Sequence, residues 1–260
     1  MDLQKLIKYA DSPENSKIRA EIWGDFVGWD NRRRGENGFL INQLRKIGAK
    51  KVLDVALGDG VDTIYLLEQG FDVSSNEIDN SFRKKAVENA KKSGFNIAPT
   101  NLDWRELSKA YTENSFDAII CLGNSLTCLF GRENQVQSLK QFYSLLKPGG
   151  ALLIDERNYQ RILDNRDAAL KGELHSSGKY LYTGNNIKAS FPYIGENMII
   201  ISYKYKNGED IKAYYKAYPL KKGKLLGLLK EAGFSKIEQY SDYEPRENSD
   251  ADFYQYACIK

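Results

Sequence analysis

The feature that most constrains the fold is an alternation of short apolar runs with helical stretches, which begins at residue 52. The apolar runs are VLDVA, FDVSSNE, NIAPTNLD, FDAIICLG and ALLIDE, and helical patterns such as GVDTIYLLEQ, NSFRKKAVENAKKSG, WRELSKAY and RENQVQSLKQFYSLLKPGG separate them. Strands that alternate with helices are joined by right-handed crossovers, which build a parallel sheet covered on both faces. The sequence therefore predicts an α/β fold with a doubly wound sheet.

The alternation ends after Arg157, where the pattern changes to short strands. NIKASFPYI, NMIIISYKYK and DIKAYYKAYPL are separated by Gly195-Glu196 and by Asn207-Gly208, a typical hairpin turn. This pattern predicts a small antiparallel sheet. The helix KKGKLLGLLKEAGF and strands near KIEQYSD and DFYQYACI then return to the core. The predicted units are a mainly helical flap over residues 1–50, a core over 51–157 and 219–260, and an antiparallel insert over 158–218.

The charge composition favours a small-molecule partner. The 260 residues include 38 Lys and Arg against 35 Asp and Glu, and the net charge of +3 is spread along the chain, so no nucleic-acid or membrane footprint is indicated. No run reaches the roughly 20 apolar residues of a membrane-spanning helix, and the N-terminus has no apolar leader. We therefore expect a cytoplasmic protein, and the short N-terminus favours a monomer over a homo-oligomer.

The cysteines and the histidine give no sign of a metal site or a disulfide framework. Cys121, Cys128 and Cys258 lie far apart without CxxC spacing, which favours free thiols. His175 is the one histidine of the chain and has no cluster of potential ligands around it in the sequence. No bound metal is expected.

A glycine turn follows the first predicted strand. LDVALGDGVDTI places Gly58 and Gly60 where the strand ends and a helix begins, the edge of a doubly wound sheet at which ligands bind. Glu77, at the end of the second strand, can accept hydrogen bonds from both hydroxyls of an adenosine ribose. Nicotinamide dinucleotides and S-adenosylmethionine both fit this pattern, although Thr63 stands where a dinucleotide fingerprint has a third glycine or alanine.

The segment NLDWREL adds a second cofactor signal. Asp103 follows the third predicted strand and can accept from an adenine amino group, and Trp104 can cover the ring. A structural interpretation, in which Asp103 caps a helix and Trp104 packs in the core, also remains open.

These segments carry a resemblance to known enzymes. VLDVALGDG, NEID, NLDW, FDAIICLGNS and LLKPGG are, in this order, similar to class I S-adenosylmethionine-dependent methyltransferases. The stretches VLDVALGDGVDTIYLLEQGFDV, ICLGNSLTCL and DERNYQRIL resemble the glycine N-methyltransferases, and most of all the glycine/sarcosine N-methyltransferases of glycine betaine synthesis. The resemblance implies a Rossmann-like sheet of seven strands, S-adenosylmethionine as cofactor, and a small amino acid, glycine or sarcosine, as acceptor.

The resemblance also implies roles for individual residues. The cofactor would be bound by Arg32, with a register uncertainty towards Arg33 and Arg34, and by Ala56, Gly58, Glu77, Asp103, Trp104 and Leu122. The acceptor would be bound by Arg157 and Asn124 and by an aromatic wall of Tyr159, Tyr182, Tyr203 and Tyr218. Arg157, Asn124 and Tyr203 are the predicted catalytic residues.

Arg157 is also supported by its chemistry. A guanidinium at a strand end that points into the ligand crevice can hold a carboxylate with two parallel hydrogen bonds. The alternative is that Arg157 pairs with the neighbouring Asp155 or Glu156. The amine must lose a proton before it accepts the methyl group. Either solvent or a tyrosine hydroxyl acting with Asn124 would take that proton.

Departures from the family pattern leave other functions open. Cys128 stands where relatives often carry histidine, and Asp59 places a negative charge in the glycine turn, where it could reach the cofactor's ammonium group or weaken binding. The alternatives are a methyltransferase for another small carboxylate-bearing amine and a protein that binds the cofactor with little turnover. A dehydrogenase is the weakest interpretation.

Overall fold

Two sheets organise the part of the chain that the computed structural model describes, residues 2–176, 186–206 and 211–260. The nine strands in these residues are β1 Lys51–Asp54, β2 Asp72–Ser75, β3 Phe116–Cys121, β4 Leu146–Arg157, β5 Ile187–Ile194, β6 Ile199–Tyr205, β7 Lys212–Ala217, β8 Lys236–Ser241 and β9 Phe253–Ile259. The larger sheet has the order β2-β1-β3-β4-β9-β8, and the smaller has the order β5-β6-β7. This confirms the predicted α/β architecture with an additional antiparallel sheet.

The helices alternate with the strands of the larger sheet as predicted. The α-helices are α1 Leu3–Ala10, α2 Pro13–Val27, α3 Trp29–Glu36, α4 Phe39–Lys46, α5 Val61–Glu68, α6 Asn80–Lys92, α7 Arg132–Leu145, α8 Tyr159–Asp164, α9 Arg166–Lys171 and α10 Lys224–Ala232. Strands β1 to β4 run parallel, whereas β9 runs antiparallel to both β4 and β8. The carboxyl ends of β1 to β4 therefore meet at one edge.

The predicted count of seven strands is not confirmed. The segment NIAPTNLD forms a single parallel bridge between Asn76 and Thr100 instead of a strand. Pro99 has no N–H to donate to a ladder. Beyond the bridge, the side chain of Asn76 replaces the backbone pairing, because its Nδ2 donates to the Leu102 carbonyl at 3.0 Å and its Oδ1 accepts from the Leu102 N–H at 2.9 Å. The larger sheet thus has six strands in the described residues.

The smaller sheet lies beside the end of β4. Strands β5, β6 and β7 pair antiparallel, and in the predicted Gly195-Glu196 turn the Gly195 N–H donates to the Met198 carbonyl at 2.9 Å. The predicted Asn207-Gly208 turn lies outside the described residues. Apolar side chains of β6 pack with Phe26 and Val27 of α2 in one buried cluster. The division into flap, core and insert stays a prediction.

The described residues hold no helix that is both long and apolar enough to cross a membrane. In the same residues, no three His, Cys, Asp or Glu side chains are grouped to hold a metal ion.

Candidate functional site

An open cavity of about 300 Å³ lies at the carboxyl ends of β1, β2 and β3. This is the edge of a doubly wound sheet at which ligands bind, and the volume lies within the range of small-molecule sites. All seven residues predicted to bind the cofactor line this cavity: Arg32, Ala56, Gly58, Glu77, Asp103, Trp104 and Leu122. We call it the cofactor cavity.

The glycine turn joins β1 to α5 at the base of the cofactor cavity. Gly58 and Gly60 adopt left-handed conformations, with φ of 57° and 96°, which glycine adopts without strain. At Gly60 a Cβ atom would also lie 3.3 Å from Ile64 and 3.4 Å from Ala86. Thr63 donates its hydroxyl to the buried Asp54 carboxylate at 2.8 Å. The residue that departs from a dinucleotide fingerprint therefore stabilises the turn internally.

Glu77 is held in place by the backbone around it. Its two carboxylate oxygens accept from the N–H groups of Gly58 and Asp79, each at 2.9 Å. Burial raises the pKa of Glu77 to about 7, and these two hydrogen bonds oppose the rise only in part. The carboxylate lines the cofactor cavity in a fixed orientation, with lone pairs left for a ribose hydroxyl.

The positions of Asp103 and Trp104 agree with both the structural interpretation and the cofactor-binding interpretation. Asp103 caps the short 3₁₀ helix Trp104–Lys109 by accepting from the Arg105 N–H, and it also forms a bidentate ion pair with the Arg105 guanidinium. Hydrogen bonding to Arg105 lowers the pKa of Asp103. The Trp104 indole donates to the Val55 carbonyl at 2.6 Å. Both residues are structural, and both still line the cofactor cavity.

The structure resolves the register of the arginines in α3. Arg32 is buried and lines the cofactor cavity, with its Nε 3.0 Å from Glu36 and its Nη2 2.7 Å from Asp62. Arg33 pairs with the same two carboxylates from the outer side, and Arg34 is exposed. Arg32 is thus the arginine placed to contact a ligand.

Asp59 brings an incompletely satisfied carboxylate to the cofactor cavity. Its Oδ2 accepts from the Trp29 indole at 3.0 Å, whereas its Oδ1 is buried and has no hydrogen-bond partner in the described residues. Burial raises its pKa to about 6, which Trp29 and Arg32 oppose. A carboxylate oxygen that lacks a donor suits an ammonium group, so Asp59 fits the cationic end of S-adenosylmethionine.

A smaller cavity of about 10 Å³, room for roughly one water molecule, adjoins the first and contains the end of β4. Its lining includes the predicted acceptor residues Asn124, Arg157 and Tyr203, and it shares Trp23, Gly123 and Tyr215 with the cofactor cavity. We call it the acceptor cavity. The two cavities are neighbours because these three residues line both.

Arg157 has no ion pair in the described residues. The neighbouring carboxylates are engaged elsewhere: Asp155 accepts from the Asn124 N–H at 2.5 Å, and Glu156 accepts from the Tyr256 hydroxyl at 2.7 Å. The Arg157 guanidinium lies 4.5 Å from the centre of the Phe253 ring. The alternative in which Arg157 pairs with Asp155 or Glu156 is therefore not what the structure contains.

Asn124 connects the loop after β3 to the end of β4. It adopts a left-handed conformation with φ of 64° just before the 3₁₀ helix Ser125–Cys128. Its Oδ1 accepts from the Arg157 N–H at 3.0 Å, and its Nδ2 donates to the Tyr159 hydroxyl at 2.7 Å. Asn124 thus fixes the backbone that carries Arg157.

The four predicted tyrosines have different positions. Tyr203 lines the acceptor cavity, and its ring lies 4.3 Å from that of Phe26. Tyr159 is fully buried behind Asn124, outside the linings of both cavities. Tyr218 packs on Phe130 with ring centres 5.9 Å apart and also lies outside both linings. Tyr182 lies outside the described residues.

Sequence reasoning missed several residues of the site. Tyr215 lines both cavities, with its hydroxyl 3.0 Å from Thr127 Oγ1, and the Cys128 thiol donates to it at 3.2 Å. Cys128 is exposed at the wall of the cofactor cavity, where desolvation by the protein around it raises the pKa of its thiol, so the thiol stays protonated at neutral pH. Arg19 and Trp23 of α2 also line the cofactor cavity. Their spacing of four residues places them on one helix face, which was a usable signal.

Comparisons with known proteins agree with this geometry. A methyltransferase-domain family model matches residues 52–150. A glycine/sarcosine N-methyltransferase from Aphanothece halophytica is 36% identical over 98% of this chain and 93% of its own length. Another from Halorhodospira halochloris is 35% identical over 92% of this chain and 85% of its own length.

Solved structures support the fold. A crystal structure of an S-adenosylmethionine-dependent methyltransferase from Clostridium acetobutylicum ATCC 824 matches with a TM-score of 0.70 at 16% identity, and the match covers 92% of this chain and 96% of the other. At this identity the likeness concerns the fold alone, and it confirms the predicted Rossmann-like architecture.

Proposed function

The chain belongs to the glycine/sarcosine N-methyltransferase family and uses S-adenosylmethionine, and we propose that it methylates the amine of a small amino acid, with glycine and sarcosine as the first acceptors to consider. This family membership removes the dehydrogenase interpretation.

The observation that carries the acceptor proposal is the environment of Arg157. Its guanidinium lines a cavity that adjoins the cofactor cavity, and no described carboxylate pairs with it. A guanidinium that is partly buried and lacks an anion is a suitable partner for the carboxylate of an amino acid. Held there by its acid end, a small amino acid would direct its amine towards the cofactor cavity.

The residues of the chain act by positioning. S-adenosylmethionine, when bound, supplies a methyl group activated by its sulfonium. Glu77, Asp59 and Trp104 line the cofactor cavity and would hold the ribose, the ammonium group and the adenine of that cofactor. Arg157 would hold the acceptor, and fixing both reactants near attack distance removes on the order of 7 kcal/mol or more from a barrier.

Tyr203 is proposed to orient the amine. Burial raises the pKa of Tyr203 well above its usual value, although the guanidinium of Arg157 opposes this. The hydroxyl therefore stays protonated at neutral pH and acts through hydrogen bonds, which leaves solvent as the proton acceptor.

An acceptor panel tests the proposal. The purified protein is incubated with S-adenosylmethionine and glycine, sarcosine, dimethylglycine, alanine or ethanolamine, and mass spectrometry detects the products with one, two or three added methyl groups. Methylation of glycine or sarcosine, but not of ethanolamine, which lacks a carboxylate, is the expected result. Methylation of ethanolamine at a similar rate would contradict the role of Arg157, and cofactor binding without any product would favour a protein with little turnover.

A further inference from the structure

A second arginine lies beside the acceptor cavity. Arg19 of α2 lines the cofactor cavity, and its guanidinium is held between two aromatic rings, 5.1 Å from the centre of Phe82 and 5.7 Å from the centre of Tyr215. Stacking of this kind fixes the plane of a guanidinium before any ligand binds.

The hydrogen-bonding capacity of Arg19 is largely unused. Its Nε is buried without a hydrogen-bond partner in the described residues. Asp79, its ion-pair partner, lies 3.9 Å from Nη2, beyond hydrogen-bond distance. Asp79 is itself engaged, because it accepts from the Ser16 hydroxyl at 2.5 Å and caps α6 through the Ser81 N–H at 2.8 Å. A guanidinium in this state is suited to a further anion.

The helix that carries Arg19 is rigidly mounted. Asn15, one turn earlier on the same face, is fully buried. Its Nδ2 donates to the Tyr214 carbonyl at 2.9 Å, and its Oδ1 accepts from the Tyr214 N–H at 2.8 Å. These bonds attach α2 to β7 and place Arg19 above Tyr215, the next residue of that strand.

The position of Arg19 connects it to Arg157. Tyr215, on which Arg19 stacks, lines both the cofactor cavity and the acceptor cavity. The positive charges of both Arg157 and Arg19 act on the buried hydroxyl of Tyr203, where they oppose the rise in its pKa caused mainly by burial. Arg157 lines the acceptor cavity from β4, whereas Arg19 of α2 reaches its boundary through the contact with Tyr215.

We propose that Arg19 is a second arginine of the acceptor site and binds the acceptor's carboxylate together with Arg157. A carboxylate offers about four lone-pair positions, so it can accept hydrogen bonds from two guanidiniums at once. The inference rests on the proposed function, since it concerns the same acceptor. Arg19 would select for a carboxylate and close the acceptor cavity from the side of α2.

Arg19→Gln is the test, with Lys17→Gln as the matched control. Lys17 is an exposed residue of the same helix, so its substitution makes the same change in charge away from the cavities. Arg19→Gln is expected to raise the acceptor KM about tenfold or more, in line with the loss of a charged hydrogen bond. The dissociation constant of S-adenosylhomocysteine, measured by calorimetry, should stay within about twofold, and Lys17→Gln should change neither value.

Two results would overturn the inference. One is an unchanged KM in Arg19→Gln, which, combined with a weakened S-adenosylhomocysteine affinity, would assign Arg19 to the cofactor ribose. The other is an equal rise in KM in Lys17→Gln. If Arg19→Gln does not fold, Arg19→Lys keeps the charge but loses the planar fork, and a KM rise of several-fold is then expected. Wild-type protein that methylates no carboxylate-bearing amine contradicts the proposed function, whereas glycine methylation with an insensitive Arg19→Gln contradicts this inference alone.

Discussion

Arg157 is the residue on which the proposed acceptor specificity depends. Substitution Arg157→Gln keeps most of the side-chain length but removes the charge and the bidentate fork. Because a hydrogen bond to a charged group contributes about 1.5–3 kcal/mol, we expect the acceptor KM to rise roughly ten- to a hundredfold. Steady-state kinetics with glycine or sarcosine measures this rise, and calorimetry with S-adenosylhomocysteine should show an unchanged affinity.

The exposed Arg132, which lies outside both cavity linings, provides the control substitution Arg132→Gln. An equal loss of acceptor and cofactor binding in Arg157→Gln would mean that Arg157 has a structural role.

Asp59 links cofactor binding to stability. Its buried carboxylate has a pKa of about 6, raised mainly by burial, so an ionised Asp59 destabilises the empty protein at higher pH. Asp59→Asn should therefore raise the free energy of unfolding of the empty protein by on the order of 2 kcal/mol near pH 8. The same substitution should weaken S-adenosylhomocysteine binding about tenfold or more, because it removes the partner of the ammonium group.

The pH dependence of binding separates this role from a purely structural one. In the wild type, S-adenosylhomocysteine affinity should decrease as the pH falls through about 6, the pKa of Asp59 in the empty protein, and Asp59→Asn should lack this decrease. Asp30→Asn, at an exposed position of α3, is the control. Unchanged affinity in Asp59→Asn would assign the carboxylate to the Trp29 contact alone.

Helix α2 joins the two sheets at the site. It contributes Arg19 and Trp23 to the cofactor cavity, packs Phe26 against the smaller sheet, and covers the edge of β7 through Asn15. An edge strand with unpaired backbone groups needs such a cover. The amide of Asn15 supplies one donor and one acceptor to the same residue, Tyr214, as a neighbouring strand would.

Asn15→Ala tests this attachment. The substitution leaves the N–H and carbonyl of Tyr214 without their partners, so we expect the free energy of unfolding to fall by about 2 kcal/mol. Because α2 carries Arg19, the acceptor KM should also rise. Urea unfolding and steady-state kinetics measure the two effects, and Asn42→Ala, at an exposed position of α4, should leave both values near those of the wild type. A stable Asn15→Ala variant would mean that apolar packing alone holds α2.

Several carboxyl groups of the protein are buried and have raised pKa values. Burial raises the pKa of Asp54 and Glu77 to about 7, of Asp59 and Asp155 to about 6, and of Glu156 to about 8. Three of them, Asp54, Asp59 and Glu77, lie in or beneath the glycine turn and the strand end next to it. A cofactor that brings positive charge and hydroxyl donors compensates this concentration of acidic groups.

The stability of the empty protein should therefore decrease with rising pH. Each of these groups has a higher pKa when folded than when unfolded, so the folded protein binds more protons between about pH 4 and pH 8. We expect the free energy of unfolding to be larger near pH 6 than near pH 8, by roughly 2 kcal/mol or more. Urea unfolding at the two pH values, without cofactor, measures the difference.

Glu156→Gln tests the contribution of one carboxyl group to this pH dependence of the free energy of unfolding. Glu156 lies outside both cavity linings and contacts Tyr256, so its substitution should reduce the pH dependence of unfolding near pH 8 without changing S-adenosylhomocysteine affinity. Stability that is constant or increases between about pH 6 and pH 8 would contradict the raised pKa values.

The alternation of strands and helices, the glycine turn and the residues that line the cofactor cavity could be predicted from the sequence. Hydrophobic periodicity and turn chemistry are local properties, so GVDTIYLLEQ predicted α5, and Gly58 and Gly60 predicted the turn that precedes it. The resemblance in NLDW and RNY predicted roles for Trp104 and Arg157 for the same reason, because each motif is contiguous, and these roles stay predictions. The seventh strand was wrong because the Asn76 side chain replaces a backbone ladder, which periodicity does not register.

The remaining features required the folded chain, because they arise between residues that are distant in sequence. Asn15 and Tyr214 are 199 positions apart, and their contact brings Arg19 over Tyr215 at the boundary of the two cavities. The segment DER likewise did not show whether Arg157 pairs with the two acidic residues before it. In the fold, Asn124 donates to Asp155 and Tyr256 donates to Glu156, and these partners are distant in sequence. Local patterns specify the elements, whereas packing between distant elements determines which charges in the site are left for a ligand.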